Sequence, residues 1–75
     1  MRRAGTVVRI SQGRLVVRTP EAEHPEIGET VLDESLNDVG RIVDVFGPVE
    51  RPFLTVTPAG SANLPSMLNS PLYVR

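Results

Sequence analysis

Apolar and polar residues alternate in short runs along this chain, and each run stops at a glycine, a proline or a polar turn. The thirteen glycines and prolines leave no stretch free of both longer than the eleven residues 29–39. A helix stable by itself needs about that length at least, and residues 29–39 lack a helical apolar period. Eleven valines, three isoleucines and five threonines favour the pleated strand instead. The pattern predicts strands over residues 5–10, 14–18, 29–33, 39–46, 53–57 and 71–74. Ser11, Gln12 and Gly13 read as a tight turn closing a hairpin, with Gly13 free to take positive φ. Residues 19–28 read as a surface loop, and Asp33, Glu34 and Ser35 as a turn. Gly47 to Pro52 reads as a loop braced by two prolines. Residues 58–69 read as an irregular crossover with one helical turn around Pro65 to Leu68. The expected fold is all-β: residues 1–75 as a single domain, a small closed six-stranded β-barrel. Closure removes the exposed sheet edges that short strands would otherwise present.

Strict alternation divides residues 39–46 into two faces. One carries Val39, Arg41, Val43 and Val45, and is expected to face the core. The other carries Gly40, Ile42, Asp44 and Phe46. Both faces hold bulky apolar groups, whereas a half-exposed barrel strand needs them on one only. On residues 53–57, Leu54 and Val56 suit the interior, which turns Phe53, Thr55 and Thr57 outward. Phe46 and Phe53 are the two phenylalanines of the chain. They flank the proline-braced loop on the outward face and read as an interface anchor. With the faces exchanged, the same two rings would be core.

Length and charge narrow the function. Seventy-five residues bury a thin core, which argues against a deep catalytic cleft. The chain has no cysteine and one histidine, His24, so no thiolate metal site or disulfide is expected. The longest apolar run is Leu15, Val16 and Val17, far short of the ~20 residues of a membrane helix. No charged-then-apolar leader opens the chain, and a cytoplasmic location is expected. Net charge is −1, with all eight basic residues arginine. Residues 1–20 hold five arginines and no acid, while residues 21–38 hold seven acids and no base. Such segregation either orients the domain on a partner or marks solvated faces.

Catalytic patterns are missing. There is no nucleophile elbow, no zinc-protease helix motif and no glycine-rich phosphate loop. Asp44 is the one carboxylate in an apolar strand. It would act as a base only if buried; a salt bridge across an interface or a bond to loop amides fits it better. The expectation is a non-enzyme without cofactor or metal. Aromatics interleaved with bases, which stack single-stranded RNA, are also scarce.

The segment Val39-Gly40 followed by Asp44-Val45-Phe46-Gly47-Pro48-Val49, Pro52 and Phe53 resembles the signature of the Gar-one family. The opening Gly-x-Val strand, the Gly28 to Asp33 segment and the closing Leu72-Tyr73-Val74 extend the resemblance along essentially the whole chain. That family is the small β-barrel subunit, of translation-factor-like fold, in the H/ACA ribonucleoprotein that makes pseudouridine in RNA. The chain looks like the archaeal form, without glycine/arginine-rich tails. It departs from the family at Phe53, where tyrosine is common. The resemblance implies a non-catalytic subunit that docks on the catalytic domain of the synthase subunit, of the dyskerin family. Guide RNA and the other H/ACA proteins would be reached indirectly, through that subunit, with no membrane partner. The implied effect is on substrate loading and product release in rRNA pseudouridylation and ribosome biogenesis. The implied docking residues are Asp44, Phe46, Gly47, Pro48, Val49, Pro52 and Phe53, and alternation and proximity add Arg41 and Ile42. A free-standing RNA-binding or ribosome-associated barrel is the alternative.

Overall fold

The computed structural model describes residues 2–60 and 64–75; residues 61–63, part of the expected crossover, lie outside them. Six strands follow in chain order: β1 (Arg2–Ser11), β2 (Arg14–Arg18), β3 (Thr30–Leu32), β4 (Asp38–Phe46), β5 (Phe53–Pro58) and β6 (Pro71–Val74). They close an antiparallel barrel in the order β1-β2-β5-β4-β3-β6. A single 3₁₀ turn, Leu64–Met67, precedes β6. It begins one residue before the expected helical turn, and its Leu64 and Met67 pack against the barrel core. Among the described residues there is no α-helix.

Each strand pairs with two neighbours, and β1 and β4 carry register breaks as they pass between theirs. β1 pairs with β6 over Arg2 to Thr6, then with β2 over Thr6 to Ser11, with register breaks at Ala4 and Val8. It therefore starts three residues before the expected strand. The β1–β2 turn is one residue tighter than the expected Ser11-Gln12-Gly13 turn, because Ser11 still pairs with Arg14 at the end of β1. Gln12 (φ 53°) and Gly13 (φ 75°) are both left-handed, matching the right-handed twist of the flanking strands. The turn after β3 is built by Asp33, whose Oδ1 accepts the amides of Ser35 (2.8 Å) and Asn37 (2.9 Å).

The core is aliphatic. Ala4, Val7, Leu15, Val17, Val31, Val39, Ile42, Leu54, Val56, Leu72 and Val74 fill it. The inward assignment of Leu54 and Val56 agrees with the alternation. The assignment of β4 does not. Its register breaks at Val39 beside β3 and at Val43 beside β5. Each break is a bulge, an extra residue that advances the strand without a partner. The buried side chains of β4 are therefore Val39 and Ile42, with Val45 packed against them: three residues apart rather than two. Val43, expected in the core, is 42% exposed, and Ile42, expected at the docking surface, is 1% exposed. Arg41, on the face expected to point inward, is exposed as well.

Ile42→Ala should lower unfolding free energy by about 2–5 kcal/mol through the cavity it leaves. Val43→Ala should change it by less than ~0.5 kcal/mol, as for a surface position. Urea denaturation of both variants checks the bulge, and the reverse ranking would place it elsewhere. Asp33 gives a pH test. Hydrogen bonds from the Asn37 and Ser35 amides hold its carboxyl below its ordinary value. A lowered folded pKa adds stability that is complete above the unfolded value, about 3.9, and lost as pH falls through the folded one. The stability of wild type should therefore drop toward Asp33→Asn over that acid interval. A constant difference at all pH values would show that ionisation of Asp33 does not hold the turn.

Candidate docking surface

Phe46 ends β4 and Phe53 begins β5, and the register sets them directly opposite each other. Both point away from the aliphatic core. Their rings stack with centroids 5.4 Å apart and planes 19° from parallel. Arg18, paired with Phe53 across the β2–β5 edge, lays its guanidinium carbon 5.0 Å from the Phe53 ring centre. Phe53 is thus sandwiched between a cation and a ring, and is half-buried. Phe46 covers one side only and is 41% exposed. Burial of aromatic surface and the cation–π contact both favour this order.

The loop joining the two rings is fastened at its far end. The Pro52 carbonyl accepts the Thr19 amide (3.1 Å) and lies 2.9 Å from the Thr19 hydroxyl. The hydroxyl's single hydrogen is shared with the Glu21 carbonyl at 3.0 Å. Arg51 Nε donates to the Thr19 carbonyl at 3.2 Å. Thr19 is fully buried, and its polar atoms are satisfied by these contacts. Near β4, Gly47 turns the chain with φ 90°, and a Cβ there would stand 2.8 Å from the edge of the Phe53 ring. Glycine is required on both counts. Between these anchors Val49 projects, 83% exposed.

Two apolar depressions share Phe46 as a wall. One lies over the barrel, lined by Val8, Arg9, Val16, Phe46 and Phe53. The other lies beside the loop, lined by Ala22, His24, Val45, Phe46, Gly47, Pro48, Val49 and Pro52. The arrangement offers an apolar, partly pre-ordered platform with an arginine on its flank.

Of the sequence-predicted residues, Phe46, Gly47, Pro48, Val49, Pro52 and Phe53 gather here, Pro52 as a buried support. Ile42 does not; its side chain is in the core. Arg41 is exposed, but lines a separate groove with Thr30, Asp38 and Thr57. Asp44 is exposed, and its Oδ1 accepts the Val45 amide at 2.9 Å beside the bulge. The burial that a catalytic base requires is missing there. Val8, Val16 and Arg18 were not read as part of the surface. Val16 was signalled: between inward Leu15 and Val17, alternation must send it outward. Val8 carried no such signal, because the bulge in β1 decides its direction.

Gly47→Ala should cost about 1–3 kcal/mol of stability from the positive φ and should open the Phe46–Phe53 stack. Thermal melting and the near-ultraviolet phenylalanine signal report the two effects. An unchanged melt would show that the loop turns without a left-handed residue.

Comparison with known proteins agrees with this geometry. A chain of Methanothermobacter thermautotrophicus, described as an uncharacterized protein, is 25% identical over 64 residues, covering 84% of this chain and 67% of that one. The family model of the Gar1/Naf1 RNA binding region matches residues 1–75, the span that includes all six strands and both phenylalanines. With its closed barrel and its aromatic pair across the β4–β5 loop, the chain belongs to the Gar1/Naf1 RNA binding region family, which supports an H/ACA-associated, RNA-related role.

Proposed function

We propose that this chain is a non-catalytic subunit of an H/ACA RNA-guided pseudouridine synthase. It docks through the Phe46–Phe53 platform on the catalytic domain of the synthase subunit, of the dyskerin family. The observation that carries the reading is the exposed, stacked aromatic pair beside a loop already held in place. Phe46 is large, apolar and 41% exposed in a barrel whose core, among the described residues, is aliphatic. Interfaces concentrate their energy in such anchors, surrounded by contacts that exclude water. The fastened Gly47 to Pro52 loop reduces the ordering cost of binding. Family membership supports the choice of partner class.

In this role the chain supplies no reacting group. It acts on the synthase by biasing a mobile element that covers the substrate, and so influences substrate loading and product release. Gating of that sort limits turnover in many enzymes. Guide RNA and the remaining proteins are reached through the synthase, and the work is done in the cytoplasm of an archaeal-type cell, in rRNA pseudouridylation and ribosome biogenesis.

Titration of the purified chain with the synthase subunit should give saturable binding, and titration with guide RNA at the same moderate salt should give none. Phe46→Ala should weaken synthase binding by about 2 kcal/mol, roughly 30-fold, with the melting temperature little changed because the ring lies outside the core. Tight binding to RNA with none to the synthase would overturn this reading in favour of an RNA-binding barrel.

A further inference from the structure

Val8, in the wall of the apolar depression, also lines a neighbouring cleft. Arg3, Arg18 and Arg51 surround this cleft over the backbone of Gly5, and no carboxylate lines it. Strand register brings two of them together. Arg18 lies opposite Thr6 on β1, and Arg3 Nη2 donates to the Thr6 hydroxyl at 2.8 Å. The third is delivered by the loop, through the Arg51 bond to the Thr19 carbonyl.

These three guanidinium groups have no carboxylate partner among the described residues. Among the described residues the ion pairs belong to Arg2, with Glu23 at 3.8 Å and Glu29 at 3.6 Å. Arg3 and Arg51 have neutral oxygen acceptors, and the Nε of Arg18 is buried with no acceptor. A buried donor left unpaired costs free energy, as does gathering like charges in one cleft. An anion entering the cleft relieves the crowding of like charge. Guanidinium groups suit planar, doubly hydrogen-bonded oxygen pairs.

We propose that this cleft receives a carboxylate side chain of the protein that covers Phe46, a glutamate or aspartate at the edge of that partner's apolar face. The inference rests on the docking reading above. Three observations favour a protein carboxylate over the phosphates of RNA. The cleft is continuous with the apolar platform, since Val8 lines both and Arg18 covers the Phe53 ring. The net charge of the chain is −1, unlike that of domains that hold polyanions. The cations also cluster around the platform: Arg9 lines the adjoining depression, while Arg2 is paired with glutamates and Arg41 lines a groove elsewhere. An apolar centre with a charge pair at its margin is the common build of a specific interface.

The test uses the full chain with the synthase subunit, and separately with single-stranded oligouridylate. Arg3 and Arg51 are both exposed, so the double variant Arg3→Gln with Arg51→Gln should stay folded, melting only slightly lower for the lost Arg51 bond to Thr19. It should bind the synthase about tenfold or more weakly at low salt, with a shallower salt dependence. The matching pair Arg3→Lys with Arg51→Lys should recover part of the loss. Full synthase binding by the glutamine pair, with Phe46→Ala still defective, overturns the carboxylate pairing and leaves the docking reading standing. Failure of wild type to bind the synthase overturns both. Loss of oligouridylate binding in the glutamine pair, with synthase binding intact, overturns it in favour of a phosphate ligand.

Discussion

The extra residue at Val43 governs what the outer surface of this barrel presents. Ile42 points into the core. Under strict alternation the next inward side chains would be Asp44 and Phe46. A carboxylate would then be buried, and the ring would compete with the aliphatic core for space. The bulge shifts the phase by one residue. Val45 then packs on the core, Asp44 returns to water, and Phe46 faces outward opposite Phe53. The Asp44 carboxylate accepts the Val45 amide next to the irregularity, where the ladder is interrupted. Core packing and the outward-facing aromatic pair are two consequences of one backbone event.

A second constraint keeps the platform in place. A six-residue connection between paired strands would ordinarily be mobile. Here Thr19, buried at the end of β2, holds Pro52 by its amide and hydroxyl, and Arg51 returns a bond to Thr19. The connection is thus tied to the barrel rather than to itself. Gly47 lets the chain turn close against the Phe53 ring. The stack of Phe46, Phe53 and Arg18 spans three strands, β4, β5 and β2. A partner meeting this surface meets a shape that exists before contact, which lowers the entropy lost on binding.

Charge is arranged differently from its distribution along the chain. The arginine-rich start and the acidic stretch that follows do not stand as two opposed faces. Arg2 spends its charge on Glu23 and Glu29. Arg3 and Arg18 meet Arg51, which is far away in sequence, in one cleft beside the aromatic platform. The cationic character of this surface comes from three separate elements converging on the β1–β2 edge.

Much of this protein was legible in residue order. Glycine and proline punctuation, β-branched content and short apolar runs located all six strands, because strand and turn propensities act locally. A tight turn ending at Gly13 followed from glycine's access to positive φ, and the segment from Val39 to Phe53 carried the family resemblance. Tertiary structure decided the facing of β4. A bulge is set by how a strand must bend to pair with two neighbours, and period-two alternation is blind to it; Ile42 and Val43 exchanged places for that reason. Tertiary structure also chose which arginines remain unpaired, since the glutamates near Arg2 and the approach of Arg51 to Arg3 are products of barrel closure. Propensity and turn chemistry are properties of neighbours along the chain, whereas burial and ion pairing depend on distances that exist only once the sheet has closed on itself.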